Sequence, residues 1–522
     1  MSRFLLILLL ISLSACAPQP TPTTITEPAP STVIEPAQTQ SLQIPAPSDW
    51  AGAISHPDGT SESMSIHLDT TKGTLNIEPK VKTYEFENIQ GLGSKISFKV
   101  TAENEMTFSG EYDGSQIRGQ VEENGQTDSF TLLSLFSEPK ESLNDFLGTY
   151  QFESGESLLI NLAPEYNSSG LYFFGQGLMV THFGTGAIRA LYPIAADNFL
   201  VGSARAIGYP FKEQITFQRD ANGNVTNLTW QTRNVETGEL GEPQPATRLD
   251  LKSEIVHFTS QDGTNLTGLL TLPVTSGATP AIMSLHGSEP GTKDNFGSQQ
   301  MSAFMASHGI AVLTYDKRGV GDSEGTYVEA ASEKNLDLIA QDAIAGVEYL
   351  KSRPEVEVDL IGLTGFSQAG WVIPLAASQS KDIAYFIILS GPVTSVGHED
   401  LFSTYTNDGE SANNYSQEVI AKRLADTPHS GFDSTPLIAD LDQLGLWIWG
   451  DQDKSLPSFE SESNLKGIIA GGKSNFSEVM LANADHNLQQ TTQGLFNEIP
   501  YSPGYHPDFY KTIEEWLKEN IK

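Results

Sequence analysis

Cysteine is all but absent from these 522 residues, Cys16 being the single one. A lone cysteine excludes any intrachain disulfide. Basic residues are also scarce: Lys and Arg total 30 against 65 Asp and Glu, a net charge of −35. That balance excludes nucleic acid as a partner, because phosphate binding relies on clustered Lys and Arg. It also excludes docking on anionic lipid by charge, and it reads most simply as a solubilising surface. Apolar residues make up 38% and aromatics 9%, low for one compact body but compatible with several units, a β-rich part and a disordered tail. There is no metal-ligand set, phosphate loop or dinucleotide fingerprint, so no cofactor and no metal are expected.

What is present begins with an address. Arg3 precedes an apolar run over 4–11, followed by Leu13-Ser14-Ala15-Cys16. A short positive region, a brief apolar core and small residues before a break describe a secretory signal over 1–15, too short for a transmembrane helix. The stretch resembles a bacterial lipoprotein signal, whose final Cys becomes the lipidated first residue. The resemblance implies lipidation at Cys16 and a chain held on the bacterial membrane, in the cell envelope outside the cytoplasm. An ordinary signal peptide with an incidental cysteine is the alternative. Residues 16–48, rich in Pro, Thr, Gln, Ala and Glu, cannot bury enough surface to offset chain entropy and are expected to form a disordered tether.

Two β-rich units follow. Residues 49–136 alternate apolar and polar side chains in short runs, punctuated by Asp58-Gly59, Asp113-Gly114 and Asn124-Gly125. These are hairpin signals, and the spacing predicts a small antiparallel barrel or sandwich. Residues 143–250 repeat the style, with strands expected at 158–162, 170–174, 199–202 and 214–218. A seven-bladed propeller needs about 300 residues at about 40–45 per blade, and no such repeat is visible. His56, His67 and His182 are scattered and read as ordinary histidines. A spacer role is favoured over binding for both units, since neither carries an ion or ligand motif.

From residue 254 strands alternate with helices, which implies a mainly parallel sheet with helices on both faces. A leading hairpin is expected over 255–272, strands at 281–285, 310–315, 384–389, 444–449 and 478–481, and helices at 296–307, 332–350 and 507–518. The centre of this half is 358–378, where an apolar strand pinches into Gly365-Phe366-Ser367-Gln368-Ala369-Gly370 and continues as a helix. Strand, sharp turn and helix with a serine at the apex make a nucleophile elbow. The usual elbow has Gly two places after the serine, where this chain has Ala369; slight displacement of the helix would accommodate the methyl.

Three stretches in this order, His286-Gly287, the loop Asp316-Lys317-Arg318-Gly319-Val320-Gly321-Asp322-Ser323 and the elbow, resemble the α/β-hydrolase superfamily. The branch is the one shared by bacterial esterases and serine aminopeptidase-like proteins, and the resemblance spans 254–522. It implies an α/β-hydrolase fold for this half, which follows the two small all-β domains read from the strand pattern. It also implies a triad in the order Ser, acid, His, with Ser367 as nucleophile and no cofactor. Asp453, three residues after Gly450, is the acid by resemblance, with Asp451 as its rival. His486 follows the last strand where the family's base sits. His398 and His429 precede the acid, and His506 lies beside the final helix. The oxyanion hole is expected from the Gln368 N–H and from Ser288, with Gly287 close behind. His286 reads as a loop-shaping residue, and Asp316 and Arg318 as an ion pair bracing their loop. An insertion at 392–443 is expected to form a cap with one amphipathic helix at 415–425.

The expected chemistry is two-step acyl transfer to water on a small-molecule or peptide acyl substrate. Carboxylic-ester hydrolysis is the leading reading. An aminopeptidase, which needs an acidic anchor for the substrate amine, is the enzymatic alternative. A surface-binding lipoprotein with a vestigial hydrolase fold is the alternative of another class.

Overall fold

The computed structural model describes residues 44–45, 48–77, 82–137, 140–163, 177–328 and 330–521. The expected signal, Cys16 and nearly all of the tether lie outside these residues, as does the strand expected at 170–174.

The alternating pattern after residue 48 produces a nine-stranded antiparallel sheet, with Ser48–Ser55 between Ser61–Leu68 and the central strand Gln126–Ser134. The sheet curls about its apolar face: Phe86 on one outer strand stacks on Phe98 from the other side at 4.5 Å. Trp50, Phe108 and Phe130 fill the space between. A closed eight-stranded barrel follows, from Gly148–Phe152 to Gln244–Arg248, and these two strands pair to seal it. Its interior packs Tyr150, Leu158, Phe199 and Phe217, and Phe146 from the 3₁₀ turn Lys140–Phe146 plugs one end.

The third body is an eight-stranded sheet. Its strands are β1 (Lys252–Thr259), β2 (Asn265–Leu272), β3 (Thr279–Leu285), β4 (Ala311–Tyr315), β5 (Val356–Phe366), β6 (Tyr385–Leu389), β7 (Leu444–Gly450) and β8 (Phe476–Leu481). Their order is β1-β2-β4-β3-β5-β6-β7-β8. Pairing is parallel from β4 to β8, whereas β2 runs antiparallel to both β1 and β4, so the sheet is only partly parallel.

The helices are α1 (Phe296–Ser307), α2 (Glu333–Lys351), α3 (Ala369–Gln379), α4 (Val396–Thr406), α5 (Gln417–Ala425), α6 (Thr435–Asp440), α7 (Ser458–Ala470) and α8 (Asp508–Asn520). Side chains alternate across the strands. Met283, Leu313, Ile388 and Trp447 face α2, α3 and α7, while Ile282, Val312, Ile387 and Ile448 face α1 and α8. The insertion differs from expectation: it holds α4 and α6 as well as α5. The single apolar period in the sequence marks α5. In α4 only His398, Phe402 and Thr406 turn inward, too few apolar residues to leave a 3.6-residue pattern.

From Leu42 to Lys522 the three bodies form one compact unit. Leu159 and Phe183 of the barrel enter the same apolar cluster as Phe304 and Tyr510 of the third body.

Candidate active site

The parallel strands bring their carboxyl ends to one edge of the sheet, the edge where open α/β sheets place their ligands. Leu285 of β3 is level with Gly365 of β5, and Phe366 with Leu389 of β6. Each sequence-derived site residue leaves one of these ends: the 286–288 loop from β3, Ser367 from β5, Asp453 from β7 and His486 from β8.

Ser367 has a left-handed backbone, φ 53°, the strain a sharp strand-to-helix turn imposes on a residue with a side chain. Its N–H donates to the Leu389 carbonyl (3.0 Å) and its carbonyl accepts from Gly370 (2.8 Å), which fixes the turn from both sides. Gly370 must be glycine, because a Cβ there would stand 2.5 Å from the Pro392 nitrogen. Gln368 opens α3, so the positive end of a helix dipole faces the elbow.

His486 and Asp453 meet. His486 Nδ1 lies 2.8 Å from Asp453 Oδ2, and the other Asp453 oxygen accepts the N–H groups of Ser455 (2.8 Å) and Leu456 (2.9 Å). Asp453 is buried, and the Phe366 ring beside Ser367 packs on the His486 ring at 4.8 Å. Burial works against a charged His486, but the field and hydrogen bond of Asp453 outweigh it, and the ring titrates above the ordinary histidine value; Asp408 and Asp485 add to the pull. The rival, Asp451, accepts instead from the Asn483 N–H (2.7 Å) and ties β7 to the loop after β8.

On the other side of the elbow, a Cβ built on Gly287 would stand 3.4 Å from Ser367 Cβ, so this loop lies against Ser367. Ser288 is the next residue, and its carbonyl accepts from the Tyr327 hydroxyl. Lys317, itself buried, donates to the carbonyls of Gly287 (2.8 Å) and Glu289 (3.2 Å). Three consecutive carbonyls are thus held. The His286 ring donates from Nε2 to the Tyr315 carbonyl (2.6 Å) beneath the loop. The expected Asp316–Arg318 pair is not formed. Arg318 instead clamps Asp342 through Nε (2.8 Å) and reaches Asp262 (3.0 Å), while Asp316 takes Lys293 (3.0 Å). A guanidinium fork fits a carboxylate facing it from α2 better than one two residues away on its own loop.

His398 and His429 lie in the cap and, with Glu460, form the one group of potential metal ligands among the described residues, within 4.8 Å of one another. Both ring nitrogens of His398 are engaged, by Glu460 (2.8 Å) and the Thr427 carbonyl (2.9 Å), and its ring stacks on His429 at 3.9 Å. Stacked rings direct their in-plane nitrogens side by side instead of toward a common centre, and the cluster ties α4 to α7. His506 accepts from the Asp508 N–H (3.2 Å) at the start of α8.

Sequence reasoning missed Lys317, Tyr327 and Glu399. Lys317 stood inside a loop that was read, but nothing in its neighbours marks it as buried. Glu399, on α4, is lifted to about 8, first by burial and then by Asp400; Asp408 and Asp453 push the same way and His486 pulls against them. It therefore lies within electrostatic reach of the Asp453–His486 pair.

Residues 262–433 match the model of the X-Pro dipeptidyl-peptidase (S15) family, a span that includes the elbow and stops before Asp453. The esterase EstD of Thermotoga maritima is 32% identical over 124 residues, 22% of this chain and 28% of the esterase. The polyketide transferase grgF of a Penicillium species is 30% identical over 145 residues, 28% of this chain and 47% of the transferase. The chain thus spans less than half the length of these curated relatives. Among solved structures, the Pyrococcus furiosus esterase Pf2001 aligns at 19% identity with a TM-score of 0.38, covering 52% of this chain and 93% of that one. Est1E of Butyrivibrio proteoclasticus aligns at 19% identity with a TM-score of 0.36, covering 51% and 99%. The strand order and the elbow between β5 and α3 give the C-terminal body an α/β-hydrolase fold.

Proposed function

We propose that this protein is a serine hydrolase of carboxylic esters, anchored to a bacterial membrane through lipid on Cys16 and exposed outside the cytoplasm. His486 takes the Ser367 proton as Ser367 attacks the carbonyl carbon. The oxyanion is held by the N–H groups of Gln368 and Ser288, and Lys317 fixes the loop that carries the second. His486 then protonates the departing alcohol. Water, deprotonated by the same ring, attacks the acyl-enzyme and releases the acid with Ser367 restored. Asp453 keeps the imidazole in the tautomer whose Nε2 is free to accept, and stabilises it when charged.

The observation that carries this reading is the 2.8 Å contact between His486 and a buried Asp453, beside an elbow whose serine is held left-handed. A fluorophosphonate probe tests it. The wild-type protein should be labelled and Ser367→Ala should not; absence of labelling, or labelling undiminished in the variant, would favour a vestigial site.

A second reading, a peptidase or aminopeptidase, is favoured by Glu399 and by the S15 family match over 262–433. A substrate ammonium brought beside Glu399 would offset the burial that raises its carboxyl, drawing it into the ionised form that holds the amine. A panel of nitrophenyl esters against aminoacyl-arylamides separates the two.

A further inference from the structure

The loop that carries His486 is a small closed turn. The Asp485 N–H donates to the Gln489 carbonyl (3.0 Å), and the Gln489 N–H returns to Asp485 Oδ1 (2.9 Å). The outer side of this turn is met by the barrel. Arg205 donates from Nη1 to Gln489 Oε1 at 2.8 Å, and its guanidinium carbon lies 5.7 Å from the Phe296 ring where α1 begins. Arg205, Gln489 and Asp485 are all buried. Burying a guanidinium and a carboxylate costs free energy unless both are well partnered, so the arrangement is not an incidental surface contact.

The barrel loop is itself rigidly held. The N–H groups of Ser203 and Ala204 both donate to the Ile207 carbonyl, and Ala206 donates to Pro500 across the domain border (3.3 Å). The Tyr209 N–H donates to the Ser63 hydroxyl (3.1 Å), so the first β domain braces the same loop. Backbone bonds from Ile188 to Pro503 (2.8 Å) and from Tyr505 to Gly186 (2.8 Å) fix the neighbouring segment.

We propose that the barrel is a working part of the catalytic apparatus, with Arg205 as a positioning residue that holds the base loop through Gln489 and Asp485. This rests on His486 acting as the base for Ser367. Arg205 touches neither substrate nor the reacting atoms; it limits the freedom of the turn from which His486 projects. A small displacement of a positioned group can cost up to about 100-fold in rate.

The test measures the rate of fluorophosphonate labelling in full-length protein, together with Tm. Arg205→Met and Gln489→Leu should each label about 10- to 100-fold more slowly than wild type. The double variant should be no slower than the slower single, because both act through one contact. Arg205→Lys, which keeps the charge and a donor, should recover part of the rate. Val225→Ala, which loosens the barrel core away from this loop, should lower Tm without slowing labelling. Wild-type rates in Arg205→Met and Gln489→Leu, effects that multiply in the double variant, or equal slowing in Val225→Ala would overturn the inference. Gln489→Leu leaves Arg205 in place and decides the matter should Arg205→Met not fold. An unlabelled wild type would overturn the reading of Ser367 itself.

Discussion

Gly365 and Ala369 share one gap beneath the elbow: a Cβ placed on Gly365 would stand 2.4 Å from the Cβ of Ala369. The methyl that departs from the usual elbow is fully buried and sits over a residue that has no side chain. The helix displacement expected from the sequence is therefore unnecessary, because Gly365 supplies the room. Gly365→Ala should destabilise the protein by about 1–3 kcal/mol through overpacking and disturb the Ser367 turn. Ala369→Gly should retain labelling and lose up to about 1 kcal/mol of helix stability. Chemical denaturation with probe labelling of both variants checks this, and equal tolerance of the two would contradict it.

The raised His486 value gives the pH dependence a sign. The ring must be neutral to accept the Ser367 proton, so activity should fall on the acid side with a midpoint above the ordinary value of about 6.5. The same shift makes the Asp453–His486 pair stabilising below the unfolded histidine value, a contribution lost as pH rises through the folded one. Asp453→Asn should move the activity midpoint down and lower the plateau by about 10⁴. Asp451→Asn, which removes the charge but keeps an oxygen able to accept from the Asn483 N–H, should stay within about tenfold of wild type. A labelling-rate profile from acid to neutral pH on the three proteins distinguishes the two carboxylates.

Lys317→Met leaves the Gly287 carbonyl without its donor, while the Glu289 carbonyl keeps the Gly291 N–H (2.8 Å). A buried acceptor stripped of its partner costs about 1–3 kcal/mol. The expected result is a lower Tm and slower acylation, with Lys317→Arg recovering some of each. Stopped-flow acylation with a nitrophenyl ester reads the second effect separately from the first.

How much of this was open to sequence reasoning depends on whether the contact was local. The elbow, the strand after it and the loops at Asp453 and His486 follow one another in regular alternation, and short-range pattern is enough to place them. The Arg318–Asp342 clamp joins a loop to a helix through folding alone, so the nearer Asp316 looked the better partner. Antiparallel pairing of β2 with β1 was legible as the leading hairpin, whereas its antiparallel pairing with β4 was hidden, because a buried strand reads the same in either direction. In the cap, α4 follows from tertiary packing of Phe402 more than from any period of its own.

Glu399→Gln discriminates between the two substrate readings. If α-amino substrates bind against this carboxylate, the variant should lose about 10- to 100-fold in kcat/KM on them, the range of one charged hydrogen bond. Neutral esters should change by less than about threefold, within the effect of a screened charge. Equal losses on both would show that Glu399 acts on the triad and not on the ligand.

The apolar cluster beneath α1 and α8 does not close within the hydrolase domain. Phe183 from the barrel stacks edge-on against Phe304 (5.5 Å) and Tyr510 (4.8 Å), and Leu159 joins them. A fragment cut at the start of β1 would open this cluster to water along a face of aromatic rings, and it would be prone to self-association. The boundary drawn by chain pattern near residue 250 is thus no seam for dissection: for expression, for transplanting the active site or for recombining modules, an intact piece has to include the barrel.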